Sequence, residues 1–171
     1  MVSAKRNSTP FDTNSIVQGL RVGSTLSVME QLSISSFLLN GHDYHLYVYE
    51  QPANLPVGKV LMDAAEILPQ SSIFQYVNRP TYAGFANSFR YKLLLDPGGW
   101  WADTDVVCLK PFEFPSDHVF SSQEGDGTDV ATTSVIKAPS GSPTMTMAWD
   151  ICQSKHPTNL RWGETGPTLM Q

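Results

Sequence analysis

Residues 93–112, LLLDPGGWWADTDVVCLKPF, place two carboxylates, Asp103 and Asp105, inside an apolar run typical of a buried strand. Burying unpaired carboxylates is costly, so a chain that does so normally supplies a cation or several hydrogen-bond donors. Side chains at i and i+2 of a strand share a face, so we expect the two carboxylates to converge while Thr104 points away. Convergent carboxylates form the hard-oxygen site that Mg²⁺ or Mn²⁺ prefers. The alternative is a solvated pair that caps a turn.

The segment before this run, residues 82–96, predicts a helix because apolar side chains recur at Phe85, Phe89 and Leu93. A Pro-Gly-Gly sequence ends it. Arg90 follows Asn87 by three residues and therefore shares its helical face. A guanidinium suits oxyanions, so beside a metal-binding strand Arg90 is a candidate for a phosphate or sugar contact.

The N-terminal half predicts strand, helix, strand, which is typical of an α/β sheet. The helix over residues 27–41 begins with a capping box formed by Ser27 and Glu30. The two predicted strands are residues 15–23 and 44–50, and the predicted apolar helix face consists of Val28, Met29, Leu32, Ser36 and Leu39.

The C-terminal half continues this pattern. Residues 59–68 form a short helix or strand between prolines, residues 118–124 and 130–138 predict strands, and Ser142 caps a last helix over residues 143–154. Residues 125–134 are either a loop over a site or a hairpin.

Length and composition predict one globular domain of 171 residues, 41% hydrophobic and 16% charged. The formal net charge of −5 argues against nucleic-acid or anionic-membrane partners. Cys108 and Cys152 form neither a disulfide framework nor a zinc motif, which favours a reducing compartment. No apolar run reaches roughly 18 residues, so we expect no membrane span and a cytoplasmic location. Residues 1–14 read as a flexible leader.

Residues 85–112, FANSFRYKLLLDPGGWWADTDVVCLKPF, resemble the signature of the DXD-motif sugar transferases. These are the family-32 glycosyltransferases and their relatives, among them yeast-type mannosyltransferases, lactosylceramide-type galactosyltransferases and clostridial toxin glucosyltransferase domains. In that signature a helix with S-D-x-x-R leads into G-G-x-[YW]-x-D-x-D. Residues 15–50, 134–143 (SVIKAPSGSP) and 164–169 (ETGPTL) are similar to further family segments.

This resemblance implies a GT-A fold, a mixed and mostly parallel sheet flanked by helices, with a nucleotide-sugar lying across the strand ends. Asp103 would contact the ribose or donor sugar, and Asp105 would bind Mn²⁺ or Mg²⁺ bridging the two phosphates. Arg90 and Asn87 would hold sugar hydroxyls or phosphate. The base pocket would be lined by Ile16, Val17, Gln18 and Gly19.

The implied function is metal-dependent transfer of a hexose, with retention, from a UDP- or GDP-hexose to a glycan, lipid or protein acceptor in polysaccharide or glycoconjugate synthesis. The chain departs from the family pattern at Asn87, Val17 and Thr133, where relatives carry aspartate, an aromatic residue and asparagine. Relatives also continue past the T-G-P segment. The resemblance therefore predicts a catalytic domain over residues 15–171 that lacks C-terminal acceptor-side elements.

Two other functions stay open. One is a non-catalytic module, or a fragment of a transferase, that binds a nucleotide-sugar or glycan without turnover. The other is a phosphatase of the haloacid-dehalogenase kind, whose D-x-D lies near the N-terminus with an aspartate nucleophile. Among the remaining candidates, Glu124 is a possible donor-site acid, whereas His42 and His45 lack a third ligand and read as structural.

Overall fold

The computed structural model describes residues 16–125 and 127–170, so the predicted leader lies outside the described residues. Nine helices and strands are named here in chain order: β1 (Ile16–Arg21), α1 (Val28–Leu39), β2 (Asp43–Val48), β3 (Val60–Asp63), α2 (Ala83–Leu95), β4 (Gly99–Ala102), β5 (Val119–Glu124), β6 (Asp129–Ala138) and α3 (Pro143–Ser154). None of the described helices is long and apolar enough to cross a membrane.

The strands form one six-stranded sheet in the order β3-β2-β1-β4-β6-β5. Pairings among β3, β2, β1 and β4 are parallel, whereas β6 runs antiparallel to both β4 and β5. This confirms the predicted mixed, mostly parallel sheet. The chain moves outward from β1 through β2 and β3 and then returns to β4 on the other side of β1. The strand order therefore reverses between the neighbouring parallel strands β1 and β4, which is a topological switch point.

Two apolar cores cover the two faces of the sheet. Trp101 belongs to the core beneath α2 and α3, and Trp100 to the core beneath α1. The two rings lie on opposite faces of the sheet, as alternation along a strand requires, and both are buried because a core covers each face. The turn before them uses Gly98 and Gly99 at φ of +73° and +101°. A Cβ on Gly98 would lie 2.5 Å from the Ser140 backbone nitrogen, so only glycine fits this turn.

The predicted capping box at the start of α1 is confirmed, but the predicted buried face is wrong. The Ser27 side chain accepts from the Glu30 backbone N–H, and the Glu30 carboxylate accepts from the Ser27 N–H. Ile34 and Phe37 are completely buried, whereas Leu32 is 52% exposed, and Ser36 is the one member of the predicted face that is buried. The exposed large apolar side chains of α1 are Val28, Met29, Leu32 and Leu39.

The predicted strand through the D-x-D motif ends earlier than expected. β4 stops at Ala102, Asp103 is the next residue, and the Val106 N–H donates to the Asp103 carbonyl in a turn at 3.1 Å. Residues 106–109 are apolar but form no strand. The aspartates therefore follow the strand rather than share one of its faces.

The other ambiguous segments are resolved by the structure. Residues 59–68 contain the edge strand β3 followed by a short 3₁₀ turn over Ala64–Glu66. β5 and β6 pair as an antiparallel hairpin, so the described part of residues 125–134 belongs to a hairpin and its turn. The predicted last helix and its Ser142 cap are confirmed in α3.

Gly19 of β1 lies against a buried phenol. A Cβ at this position would meet the Tyr44 hydroxyl at 2.3 Å and the Ala102 carbonyl oxygen at 3.2 Å. The Tyr44 hydroxyl is buried without a hydrogen-bond partner among the described residues. We expect Gly19→Ala to lower the free energy of unfolding by about 1–3 kcal/mol, because a rigid ring must move.

Tyr44→Phe removes the obstructing oxygen and an unpaired polar group, so alone it should be close to neutral in urea denaturation. In the Gly19→Ala background it should recover part of the lost stability. Additive effects of the two substitutions would show that the hydroxyl is not the obstacle.

Candidate active site

The D-x-D aspartates lie at the carboxyl end of β4, beside the point where the strand order reverses between β1 and β4. In open α/β sheets, ligands bind in the crevice outside the strand ends at this kind of switch point. The Asp103 N–H donates to the Ser134 carbonyl at 2.8 Å, which ties the start of the motif to β6.

Arg90 of α2 holds the first aspartate in place. Its Nη2 lies 2.8 Å from Asp103 Oδ1, its Nη1 donates to the Thr133 carbonyl, and its guanidinium carbon is 5.0 Å from the centre of the Trp101 ring. Arg90 is only 4% exposed. One buried guanidinium therefore joins α2, β4 and β6 at the motif.

Asp103 is fixed but retains a free oxygen. Both of its side-chain donors, Arg90 and the Trp101 indole N–H at 2.9 Å, reach Oδ1. Oδ2 has no hydrogen-bond donor within the described ranges. Burial raises the pKa of Asp103 and Asp105 adds to this, while Arg90 and the Trp101 hydrogen bond lower it. The geometry leaves one oxygen of a firmly held carboxyl for a ligand.

Asp105, by contrast, is exposed in the turn after β4. It has no hydrogen bond or ion pair to any residue that the structure describes. Both aspartates line a single cavity of about 520 Å³, which we call the carboxylate cavity. Asp105 is thus a carboxylate free to bind a ligand without giving up a structural contact.

The carboxylate cavity is also lined by the end of β1 and the start of α1. Leu20, Arg21, Ser27 and Glu30 contribute to it. Arg21 Nη1 lies 2.6 Å from Glu30 Oε1, while Glu30 Oε2 accepts the capping bond from Ser27 at 2.7 Å. Glu30 therefore caps the helix and also anchors an arginine that lines the same cavity as the aspartates.

A second cavity, of about 440 Å³, adjoins the first and shares Ala83, Arg90 and Asp103 with it. We call it the aromatic cavity. Its remaining lining residues are Tyr76, Asn87, Thr133, Ser134, Trp162, Gly163, Pro167 and Thr168. The Arg90–Asp103 pair stands where the two cavities meet.

Asn87 lies in the aromatic cavity one helical turn before Arg90, as the sequence predicted for these two side chains. It is 6% exposed, and its Nδ2 donates weakly to Thr165 Oγ1 at 3.4 Å. The Tyr91 hydroxyl donates to the Thr165 carbonyl at 2.8 Å. These contacts hold residues 164–169, the T-G-P segment, against α2.

None of the four first-strand residues predicted for a base pocket lines either cavity; the carboxylate cavity is lined instead by Leu20 and Arg21 at the end of β1. Val17 is fully buried, and Gln18 is 5% exposed with its Nε2 donating to the Gly98 carbonyl at 2.9 Å. Ile16 and Gly19 are partly and fully buried in the same strand. Their role toward a base stays a prediction.

The minor candidates have other places. His42 is buried, and its Nε2 accepts from the Phe112 N–H at 3.0 Å, so it supports the segment after the D-x-D motif. His45 lies in β2, where burial lowers its pKa. Glu124 ends β5, two strands from β4, and lines neither cavity as described.

The arrangement agrees with a comparison against known families. Residues 25–125, well over half of the chain, match the family described as "Glycosyltransferase sugar-binding region containing DXD motif". The chain belongs to this family. The matched region contains both aspartates, Arg90, Asn87 and the capped start of α1. The resemblance drawn from the sequence is thereby confirmed at the level of a DXD glycosyltransferase.

The fold is likewise that of a glycosyltransferase of the GT-A kind. A solved structure titled "PaToxG Glycosyltransferase" superposes with a TM-score of 0.67 at 14% sequence identity, covering 92% of this chain and 67% of that one. No curated protein matches this chain.

The carboxylate cavity suits a hard divalent cation held largely by its substrate. The described residues contain no group of three or more His, Cys, Asp or Glu side chains placed to hold a metal. Among the described residues that line this cavity, Asp105 and Asp103 Oδ2 are the carboxylate oxygens without a protein partner, and they would be the ligands of such a cation. Mg²⁺ commonly uses only one or two protein carboxylates and completes its coordination with water and phosphates.

Proposed function

We propose that this protein transfers a hexose from a UDP- or GDP-hexose to an acceptor, with Mn²⁺ or Mg²⁺ bound at Asp105 and Asp103 and with retention of configuration. One observation carries the proposal: a free, exposed carboxylate shares a cavity with a second carboxylate that Arg90 and Trp101 hold rigidly. A hard-oxygen pair at a sheet switch point is suited to a nucleoside diphosphate with its cation.

In this proposal the diphosphate of the donor binds in the carboxylate cavity, and its sugar lies where that cavity meets the aromatic cavity. Asp105 and Arg21 would face the diphosphate in the carboxylate cavity, where a guanidinium suits phosphate oxygens. Asp103 and Asn87 would hydrogen-bond the sugar where the cavities meet. A bound divalent cation would act as a Lewis acid that neutralises charge on the departing nucleoside diphosphate.

The proposal is tested by incubating the protein with UDP-glucose, UDP-galactose and GDP-mannose, with Mn²⁺ or with EDTA, and measuring nucleoside diphosphate release. We expect release from one of them in Mn²⁺ and none in EDTA. Calorimetric titration with UDP and GDP provides the binding readout. Binding without release from any donor would indicate a non-catalytic nucleotide-sugar-binding module, and absence of binding would overturn the assignment.

A further inference from the structure

We infer that the aromatic cavity and its continuation bind a carbohydrate acceptor, so that the substrate receiving the sugar is a glycan. This inference rests on the proposed function, because it assigns the second substrate of the same site. It concerns the side chains of Tyr76, Arg79 and Trp162, none of which belongs to the D-x-D segment.

An aromatic wall lines the cavity. The Tyr76 and Trp162 ring centres lie 5.4 Å apart at 53°, and the Arg79 guanidinium carbon is 4.6 Å from the Trp162 ring. Despite both contacts, Trp162 is 55% exposed. Tryptophan is seldom this exposed in a folded domain, and an open ring offers an apolar surface for the C–H face of a sugar.

Polar groups surround this wall. A further cavity of about 330 Å³ shares Tyr76 and Trp162 with the aromatic cavity and is lined mainly by amide, hydroxyl and guanidinium side chains: Asn78, Arg79, Thr158, Asn159 and Arg161. Amides and hydroxyls both donate and accept, which matches the hydroxyl groups of a saccharide. A few polar groups around an aromatic surface are typical of small-ligand sites.

The aromatic cavity and the further cavity together define which end of the ligand lies beside the donor. At one end lie Arg90 and Asp103, and at the other lie Asn78 and Asn159, with Trp162 common to both. Because the shared wall extends beyond the reacting end, we infer an oligosaccharide rather than a single sugar unit. Its terminal hydroxyl would meet the donor sugar beside Asp103.

The wall is held by a folded turn. Lys155 Nζ lies 2.6 Å from Glu164 Oε1, and the Arg161 N–H donates to Glu164 Oε2 at 3.0 Å. The hydrogen bond and charge of Lys155, with the Arg161 N–H, lower the pKa of Glu164. These contacts fold residues 155–164 into a turn that contains Trp162.

The proposed sugar transfer forms one bond, breaks one bond and moves one proton. The acceptor hydroxyl oxygen bonds to the anomeric carbon, and the bond from that carbon to the phosphate oxygen breaks. The bonding electron pair leaves with the nucleoside diphosphate. The hydroxyl proton passes to the departing phosphate oxygen. When water replaces the saccharide, the same exchange is donor hydrolysis, which gives an internal reference for every variant.

The experiment compares wild type, Trp162→Ala and Met147→Ala with the donor that the wild type hydrolyses and with maltotriose, cellotriose, mannotriose and chitotriose as acceptors. Met147 is 54% exposed on α3 and lines neither the carboxylate nor the aromatic cavity, which makes it a matched control. We expect Trp162→Ala to lower the ratio of transfer to hydrolysis about tenfold, chiefly by raising the acceptor KM. An unchanged ratio overturns the inference.

A binding measurement separates this inference from the proposed function. In two-dimensional NMR the protein has four indole N–H signals, one for each tryptophan, and Trp162→Phe assigns that of Trp162. We expect one of the four trisaccharides, at millimolar concentration, to shift this signal selectively. A wild type that shifts it but hydrolyses no nucleotide-sugar would refute the proposed function alone. Failure of all four trisaccharides to shift it, while UDP or GDP binds, would refute the glycan acceptor.

Discussion

Asp105→Ala is expected to lower metal-dependent release of nucleoside diphosphate by about a thousandfold, which corresponds to several kcal/mol of lost transition-state stabilisation. The fold should keep its stability, because Asp105 is exposed and contacts no partner among the described residues. In calorimetric titrations, the Mn²⁺-dependent part of UDP or GDP binding should disappear. Thermal unfolding measured beside it should be unchanged.

Asp117→Ala is the matched control for this substitution. Asp117 is also an exposed aspartate, but it lies beyond the turn after β4 and lines neither the carboxylate nor the aromatic cavity. The Asp117→Ala variant should release nucleoside diphosphate from the donor at the wild-type rate. If Asp105→Ala behaves like Asp117→Ala in both binding and turnover, the D-x-D motif does not hold the cation.

Arg90→Ala is expected to lower the free energy of unfolding by about 3–5 kcal/mol, the usual cost of removing one partner from a buried ion pair. The substitution leaves the Asp103 carboxylate, the Thr133 carbonyl and the Trp101 ring without their shared contact. Urea denaturation measures the loss. Donor turnover should fall as well, since Asp103 is no longer held at the cavity junction.

Lys92→Ala on the same helix provides the comparison. Lys92 forms an exposed i,i+4 pair with Asp96 at 2.9 Å and lies 5.6 Å from the Trp149 ring. Such exposed contacts contribute at most about 1 kcal/mol. Equal losses of stability in Arg90→Ala and Lys92→Ala would mean that the Arg90–Asp103 pair does not brace the sheet.

Local signals in the sequence were sufficient for the three α-helices and for the turn before β4. The capping box at Ser27, the Pro-Gly-Gly turn before β4 and the Ser142 cap each depend on neighbouring residues, and each prediction is confirmed. The orientation of α1 depends on distant residues. Ser36 Oγ accepts from the Cys108 N–H at 2.8 Å, and Asn40 donates to the Cys108 carbonyl at 3.0 Å.

Those two contacts explain the wrong helix face. α1 carries apolar residues on more than one side, so periodicity alone does not select the buried one. Small serines allow the irregular segment around Cys108 to pack closely, and that segment takes the place of the strand predicted there. A pattern within one helix contains no information about a partner about seventy residues away, as the separations in these hydrogen bonds illustrate.

The candidate site shows the same division. The spacing of Asn87 and Arg90 predicted a shared helical face, and both side chains line the aromatic cavity. The two aspartates line the carboxylate cavity, but from the turn after β4 rather than from one face of a strand. Arg21 was missed, although ligands at strand ends should direct attention to the last residues of β1 rather than the first. Trp162 offered a weaker signal, a single large aromatic residue in a polar segment.

The double role of Glu30 links the folding of α1 to the site. If the first turn of α1 opens, the Glu30 carboxylate no longer accepts the hydrogen bond from the Ser27 N–H. Arg21 then also loses the ion pair with Glu30 that holds it in place. Local opening of helix ends is frequent in native proteins. A ligand that engages Arg21 would therefore slow amide hydrogen exchange in that turn. By reciprocity, a substitution that frays the turn would weaken the ligand's affinity without touching it.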